Sequence, residues 1–360
     1  MFLKNTTFIV GAGASTEYGL GAFPIGSELR SMIQDGYSFS GDLRYGRISR
    51  GDRLLFDAIR RRHRDDESGL QKRLEAAELI STNLYMFPSI DAFIDHYEDG
   101  TNHVGELGKL AIAAYIARAE RKSKLFKDSE RGGDGFSIRA LSNAWVEPFA
   151  RILMDAVKNP EELAEGVSII CFNYDRCIEM YLLEALRSRY RMPYQDARRI
   201  VGAMNIIHPY GTLGPLPETE FGGHPNQPEF GPNVDERFDL FSLTHSLKTY
   251  TERVEEGETL SRIRAAVAYS EHLIFLGFGF TTENMNLLSV QGKGLVGAKA
   301  KNSILATGIG YSHQQVSAIK DKVAALFDNI SGTGWQRSAN VEIGLGCKEL
   351  FHHYYLNLQR

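Results

Sequence analysis

Three short stretches of the 360-residue sequence bring together residue types that could hold and process a nucleotide. The first, Gly11-Ala12-Gly13-Ala14-Ser15, follows an apolar run and precedes a helical pattern. Glycines there let the backbone approach a diphosphate, and amides at a helix start favour its negative charge. The same residues also suit a tight strand-to-helix turn without a ligand. The stretch departs from GxGxxG, because Thr16 stands at the third glycine position, and Asp35 closes a helix instead of a second strand. No GxxxxGK[ST] occurs, which excludes a triphosphate P-loop. In the second stretch, Phe172-Asn173-Tyr174-Asp175, an Asn and an Asp two apart share one strand face. Together they could read an amide and orient a water, or they could cap the helix beginning near Arg176. The third is His208, whose ordinary pKa near ~6.5 suits proton transfer or a bond to a ribose hydroxyl.

Positioning these groups requires buried strands. Thr7-Phe8-Ile9-Val10, Val167 to Phe172, Asn205 to His208, His272 to Gly277 and Ser303 to Gly308 are apolar runs of strand length, most of them ending in glycine or polar loops. Helical spacing lies between them, in Ile25, Leu29, Met32 and Ile33, and over Cys177 to Tyr190 and Gln314 to Phe327. From 51 to 158 the texture is helical, with patterns over Gln71 to Leu84, Leu107 to Ala119 and Ile138 to Val157. The expected architecture is α/β: a Rossmann-like parallel sheet over residues 1–50 and 159–360, interrupted by a helical insertion at 51–158. The sheet is expected to end near residue 310, with a helix from Val341 to Leu356 closing the chain. Residues 214–238, rich in proline and glycine, read as a lid, a binding loop or a partner contact. Ligands of such sheets bind at the strands' carboxyl ends, where all three stretches stand.

Composition narrows the classes. With 41 Lys and Arg against 45 Asp and Glu, the net charge of −4 gives no general attraction to nucleic acid, so no direct nucleic-acid binding is expected. No apolar run reaches the ~20 residues of a membrane span, and a cytoplasmic protein without membrane association is expected. Three cysteines without CxxC spacing support neither a disulfide framework nor a four-cysteine zinc site, and His352-His353 lack i, i+4 spacing, so no metal is expected.

Taken in order, these stretches resemble the sirtuin-like domains of bacterial antiphage defence. Gly11 to Ser15, with Gly19 and Phe23-Pro24-Ile25-Gly26, resembles that family's first NAD-binding turn. Phe172 to Asp175 resembles its Asn/Asp motif. Leu276-Gly277-Phe278-Gly279-Phe280, with Asn284 and Asn286, resembles its ribose-binding turn, and Ser89-Ile90-Asp91-Ala92-Phe93 a further short motif. Three departures stand out: the paired CxxC zinc module of sirtuin deacylases is absent, Asp-Phe-Arg is missing after the first turn, and Tyr210 fills the place before Gly211 where the family's histidine stands. The first of these sets deacylation aside.

The resemblance implies NAD+ as a substrate, hydrolysed to nicotinamide and ADP-ribose so that the cell is depleted of NAD+. In that reading Gly11, Ala12, Gly13, Ser15, Thr16 and Pro24 hold the dinucleotide, and Tyr210, Gly277, Phe278 and Asn286 also contact it. Asn173 orients water or ribose, Asp175 holds the carboxamide, and His208 serves the ribose hydroxyls or a proton. His208 is preferred to Tyr210 because alternate strand residues share a face. A homo-oligomer and a triggering partner, such as a HerA-like ATPase or an Argonaute, are further implications. The alternatives are a non-catalytic NAD or ADP-ribose module and a scaffold subunit of a defence complex.

Overall fold

Apolar, β-branched and aromatic runs become strands when both of their faces are covered. In the computed structural model, which describes all residues except 20–21, 44, 98–101, 128–137, 166, 220–227, 251, 253–256, 291–300, 328–338 and 360, strand β1 (Thr6–Val10) is buried at every position. After it come α1 (Ala12–Ser15), α2 (Gly26–Gly36), a small hairpin of β2 (Ser40–Asp42) and β3 (Arg47–Arg50), and five helices. These are α3 (Arg53–Arg62), α4 (Glu67–Asn83), α5 (Ile90–Tyr97), α6 (Val104–Lys122) and α7 (Val146–Leu153). Strand β4 (Val167–Cys171), helices α8 (Cys177–Tyr190) and α9 (Tyr194–Ala203), and strands β5 (Asn205–Ile207), β6 (His272–Leu276), β7 (Ser303–Gly308) and β8 (Ala339–Ile343) complete the set needed here.

Six of these strands form one parallel sheet in the order β5-β4-β1-β6-β7-β8. Counted along the chain that order is 3-2-1-4-5-6, the doubly wound, Rossmann-like arrangement. Side chains alternate between two hydrophobic clusters, one on each face. Ile9, Ile170, Phe275 and Ile304 join α2 to α6 on one side, whereas Phe8, Val10, Ile169 and Leu276 join α7, α8 and α9 on the other. The helices between 51 and 158 therefore share both clusters with the strands. Helix α6 is buried without interruption from Leu110 to Ala117, which explains why its sequence is apolar all round.

The sheet extends beyond the expected end near residue 310, because Ala339–Ile343 is a sixth strand and not the start of a helix. Asn340 and Glu342 alternate there with Ala339, Val341 and Ile343, a two-residue period, and Gly344 at φ +83° separates the strand from a helix that begins only at Cys347. The expected helix over Ile138 to Val157 is a 3-10 turn, Ile138–Leu141, followed by α7. Part of the 214–238 loop, 220–227, lies outside the described residues.

At the centre, Val10 pairs in register with Cys171 on one side and Leu276 on the other, so Gly11, Phe172 and Gly277 leave the sheet level with one another. The two glycine turns interlock. Gly11 N–H donates to Leu276 O (2.9 Å) and Gly13 N–H to Gly277 O (3.0 Å). A Cβ on Gly11 would sit 2.6 Å from Gly277 O, and one on Gly277, held at φ +56°, would sit 2.1 Å from Ala14 N. Both overlaps are with backbone, which has no room to withdraw.

The Gly277→Ala variant is therefore expected to lose about 3 kcal/mol of unfolding free energy in urea denaturation, from strain and overpacking together. Gly279→Ala, where a Cβ meets nothing within 4 Å, should stay within about 0.5 kcal/mol of wild type.

Candidate functional site

Strands β1 and β6 are neighbours, yet the chain leaves them toward opposite edges, which opens a crevice at their carboxyl ends. A cavity of about 450 Å³ occupies this place. Gly11, Ala12, Gly13, Ser15, Pro24, Asn173, Asp175, Tyr210, Gly277 and Phe278 all line it, so the loops after β1, β4, β5 and β6 converge as the sequence suggested.

Its floor is a buried polar cluster. Asn173 Nδ2 donates to Gly11 O (3.0 Å) and to Ser15 Oγ (2.7 Å), and Ser15 Oγ–H donates to Asp175 Oδ2 (2.7 Å). Asp175 Oδ1 also accepts from the backbone of Cys177 (3.0 Å), the first residue of α8. Burial pushes the Asp175 carboxyl above its ordinary value, opposed by the bonds from Ser15 and Cys177. Because Nδ2 faces a carbonyl, which can only accept, the orientation of the Asn173 amide is determined. Its Oδ1 is buried without a partner, an acceptor left open in a residue only 6% exposed. An unmet buried acceptor costs about 1–3 kcal/mol.

The wall is aromatic and acidic. Phe172, at the end of β4, packs on Phe278 (5.1 Å between ring centres) and Tyr210 (6.0 Å). Tyr210 donates to Asn284 Oδ1 (2.7 Å), and Tyr174 donates to Asp91 Oδ1 (2.6 Å). Burial pushes Asp91 up to about 6, partly opposed by the Tyr174 hydroxyl. The elements behind Asp91 account for each residue of its motif. Ser89 Oγ accepts from Ala92 N–H and starts α5, Ile90 and Phe93 anchor that helix in the core, and Asp91 faces the cavity. Glu283 joins it, and among the described residues no Lys or Arg lines the wall. The described residues also hold no group of three or more His, Cys, Asp and Glu placed to bind a metal, and no helix long and apolar enough to cross a membrane.

The glycine turn differs from a free phosphate cradle. Its Gly13 amide is already bonded to Gly277, and α1 is a single turn, so little of the expected anion site remains there. First-turn amides of α2 at Gly26 and Ser27, which have no partner within their helix and border the cavity, are available to an anion instead.

Three expected residues do not line the cavity. Thr16 is exposed and its hydroxyl folds back on Gly13 O. Asn286 is exposed on the helix Thr282–Leu288, while Asn284 lines the wall. His208 lies behind the floor: Nδ1 donates to Asn173 O (2.9 Å) and Nε2 faces Glu179 Oε1 (2.7 Å). Strand β5 stops at Ile207 and the chain turns at once, Gly211 N–H bonding His208 O, so strand alternation no longer puts 208 and 210 on one face. Tyr210 reaches the cavity instead. Asp91, Glu283 and Asn284 were not among the expected site residues; for Asp91 and Asn284 the only sequence signal is their place in the quoted motifs.

A second buried cluster holds the site from outside. Glu120 and Arg176 form an ion pair (2.6 Å) with side chains 0% and 2% exposed. The Arg176 guanidinium donates to Pro228 O (2.9 Å) and Glu229 O (2.8 Å), and Gly231 N–H donates to Glu120 (3.0 Å). The far end of the 214–238 loop is thus tied to α6 and to the residue beside Asp175.

No protein-family model, curated protein or solved structure matches the chain.

The His208 pair makes a prediction of its own. Burial opposes the imidazolium, but the Glu179 carboxylate and the Cys171 sulfur outweigh it and hold His208 well above its ordinary value. A raised folded value means that the stability from this pair is complete below about pH 6.5 and lost as the pH rises through the folded value. Glu179→Gln is expected to lower the unfolding free energy at pH 6 by about 2 kcal/mol and to flatten that alkaline slope, measured by urea denaturation from pH 6 to 10.

Proposed function

We propose that the switch-point cavity binds NAD+ and hydrolyses its nicotinamide–ribose bond. The observation that carries the reading is the Asn173–Ser15–Asp175 floor, with Asn173 Oδ1 an unpartnered buried acceptor in it, beneath a cavity whose charged wall residues, among those described, are all carboxylates. A nicotinamide carboxamide or a ribose hydroxyl supplies the missing donor, and the acidic wall suits the positive nicotinamide ring. Scission of the C1′–N1 bond leaves its electron pair on nicotinamide and positive charge on the ribosyl C1′, which the same carboxylates stabilise. Water then adds at C1′ and gives its proton to a carboxylate of the wall. In this scheme Asn173 orients the ribose or the water, Asp175 holds the carboxamide, and Tyr210 packs beside them. The diphosphate lies toward the Gly26 and Ser27 amides. His208 acts through the Asn173 backbone, not on the substrate. The resemblance to sirtuin-like defence domains supports the same substrate, and with it NAD+ depletion in antiphage defence under a partner's trigger.

One observation favours a second reading, NAD+ or ADP-ribose binding without hydrolysis: the cavity wall has a tyrosine, not a histidine, at the end of β5. Incubating the purified chain with NAD+ and quantifying nicotinamide by chromatography separates the two. Nicotinamide release that falls at least 100-fold in Asn173→Ala, with the thermal unfolding midpoint retained, is the expected result. Bound NAD+ without release supports the second reading, and release undiminished in Asn173→Ala overturns the assignment.

A further inference from the structure

We infer that Asp91 is the specificity-determining residue of this cavity, its carboxylate facing the positively charged nicotinamide ring and selecting the oxidised dinucleotide over the reduced one. The inference rests on the NAD+ reading above and adds to it a discriminating group from a helix far along the chain from the glycine turns. Three features carry it. Asp91 is fixed in place, by the Ser89 cap at the start of α5 and by the Tyr174 hydroxyl at 2.6 Å. That hydroxyl belongs to the residue between Asn173 and Asp175, so the Asp91 carboxylate is tied to the segment that presents the open Asn173 acceptor. Among the described residues, no Lys or Arg in the cavity wall neutralises it.

The groups facing Asp91 are Tyr174, which donates to it, Tyr210 and Glu283, and none of them brings positive charge. Among the described residues the carboxylate therefore has no counter-charge, which a ligand cation would supply. The oxidised and reduced dinucleotides differ little in shape, and hydride addition removes the ring's charge. A carboxylate in a partly desolvated wall distinguishes them by charge, whereas Asn173 and Asp175, serving the ribose and the carboxamide that both forms share, do not.

The test uses a carbocyclic analogue of NAD+, which resists cleavage, and its 1,4-dihydro form, with binding measured by isothermal titration calorimetry. The wild-type chain is expected to bind the oxidised analogue at least tenfold more tightly than the reduced one. Asp91→Asn keeps the shape and an acceptor for Tyr174, and should cut that preference to less than threefold by weakening the oxidised form alone. Wild-type protein gives an independent readout: as the pH falls from 8 through about 6, where Asp91 takes up a proton, affinity for the oxidised analogue drops while that for the reduced one holds. Equal binding of both forms by wild type, or equal weakening of both in Asp91→Asn, overturns the role of Asp91 and leaves the NAD+ reading standing. Binding of neither form overturns that reading and this inference together.

Discussion

The contact on which the site depends is backbone against backbone, where the turn after β1 meets the turn after β6. Without side chains at Gly11, Gly13 and Gly277 the two chains close to hydrogen-bond distance, Gly13 N–H reaching Gly277 O at 3.0 Å. That closeness sets the heights of Gly11 O, which receives the Asn173 amide, and of Ser15, which links Asn173 to Asp175. Three side chains from two loops are thereby fixed by a contact that involves none of them. A preorganised polar floor of this kind is what binding a donor with little reorganisation requires.

Charge is distributed with equal consequence. Arg176, beside the site in sequence, is bonded to Glu120 and to loop carbonyls, so its cation never enters the cavity. Glu17, just after the glycine turn, accepts from the backbone of Trp145 and of Cys347 and so joins α7 and the helix Cys347–His353 to that turn. Charges taken out of water in this way are costly to desolvate and are tolerated where several hydrogen bonds satisfy them. Among the described residues, the charged groups left facing the cavity are carboxylates.

The central strands were legible because burial on both faces leaves an uninterrupted apolar run. Edge strand β8 is not legible in the same way, because its half-polar alternation is short and runs on into helical spacing. The grouping of Asn173, Asp175 and the two glycine turns followed from their places at strand ends. Their division of labour did not: a glycine needed for backbone approach has the same letter whether a phosphate or another turn approaches it. The choice between His208 and Tyr210 depended on where β5 stops, and one residue of difference moved the imidazole behind the floor. The Glu120–Arg176 pair joins residues on α6 and at the mouth of β4, with no local pattern to announce it.

The strand order also has a consequence for how the chain is made. β1 lies between β4 and β6, so Thr6 must find Val167 on one side and His272 on the other. At about 5–20 residues per second, the ribosome delivers that second neighbour roughly 10–50 s after β1 has emerged. Over that interval a strand reading Thr-Thr-Phe-Ile-Val shows at least one unpaired apolar edge, an invitation to aggregation that folding helpers would have to shield. Of the six strands, the first to be synthesised waits longest for its second neighbour.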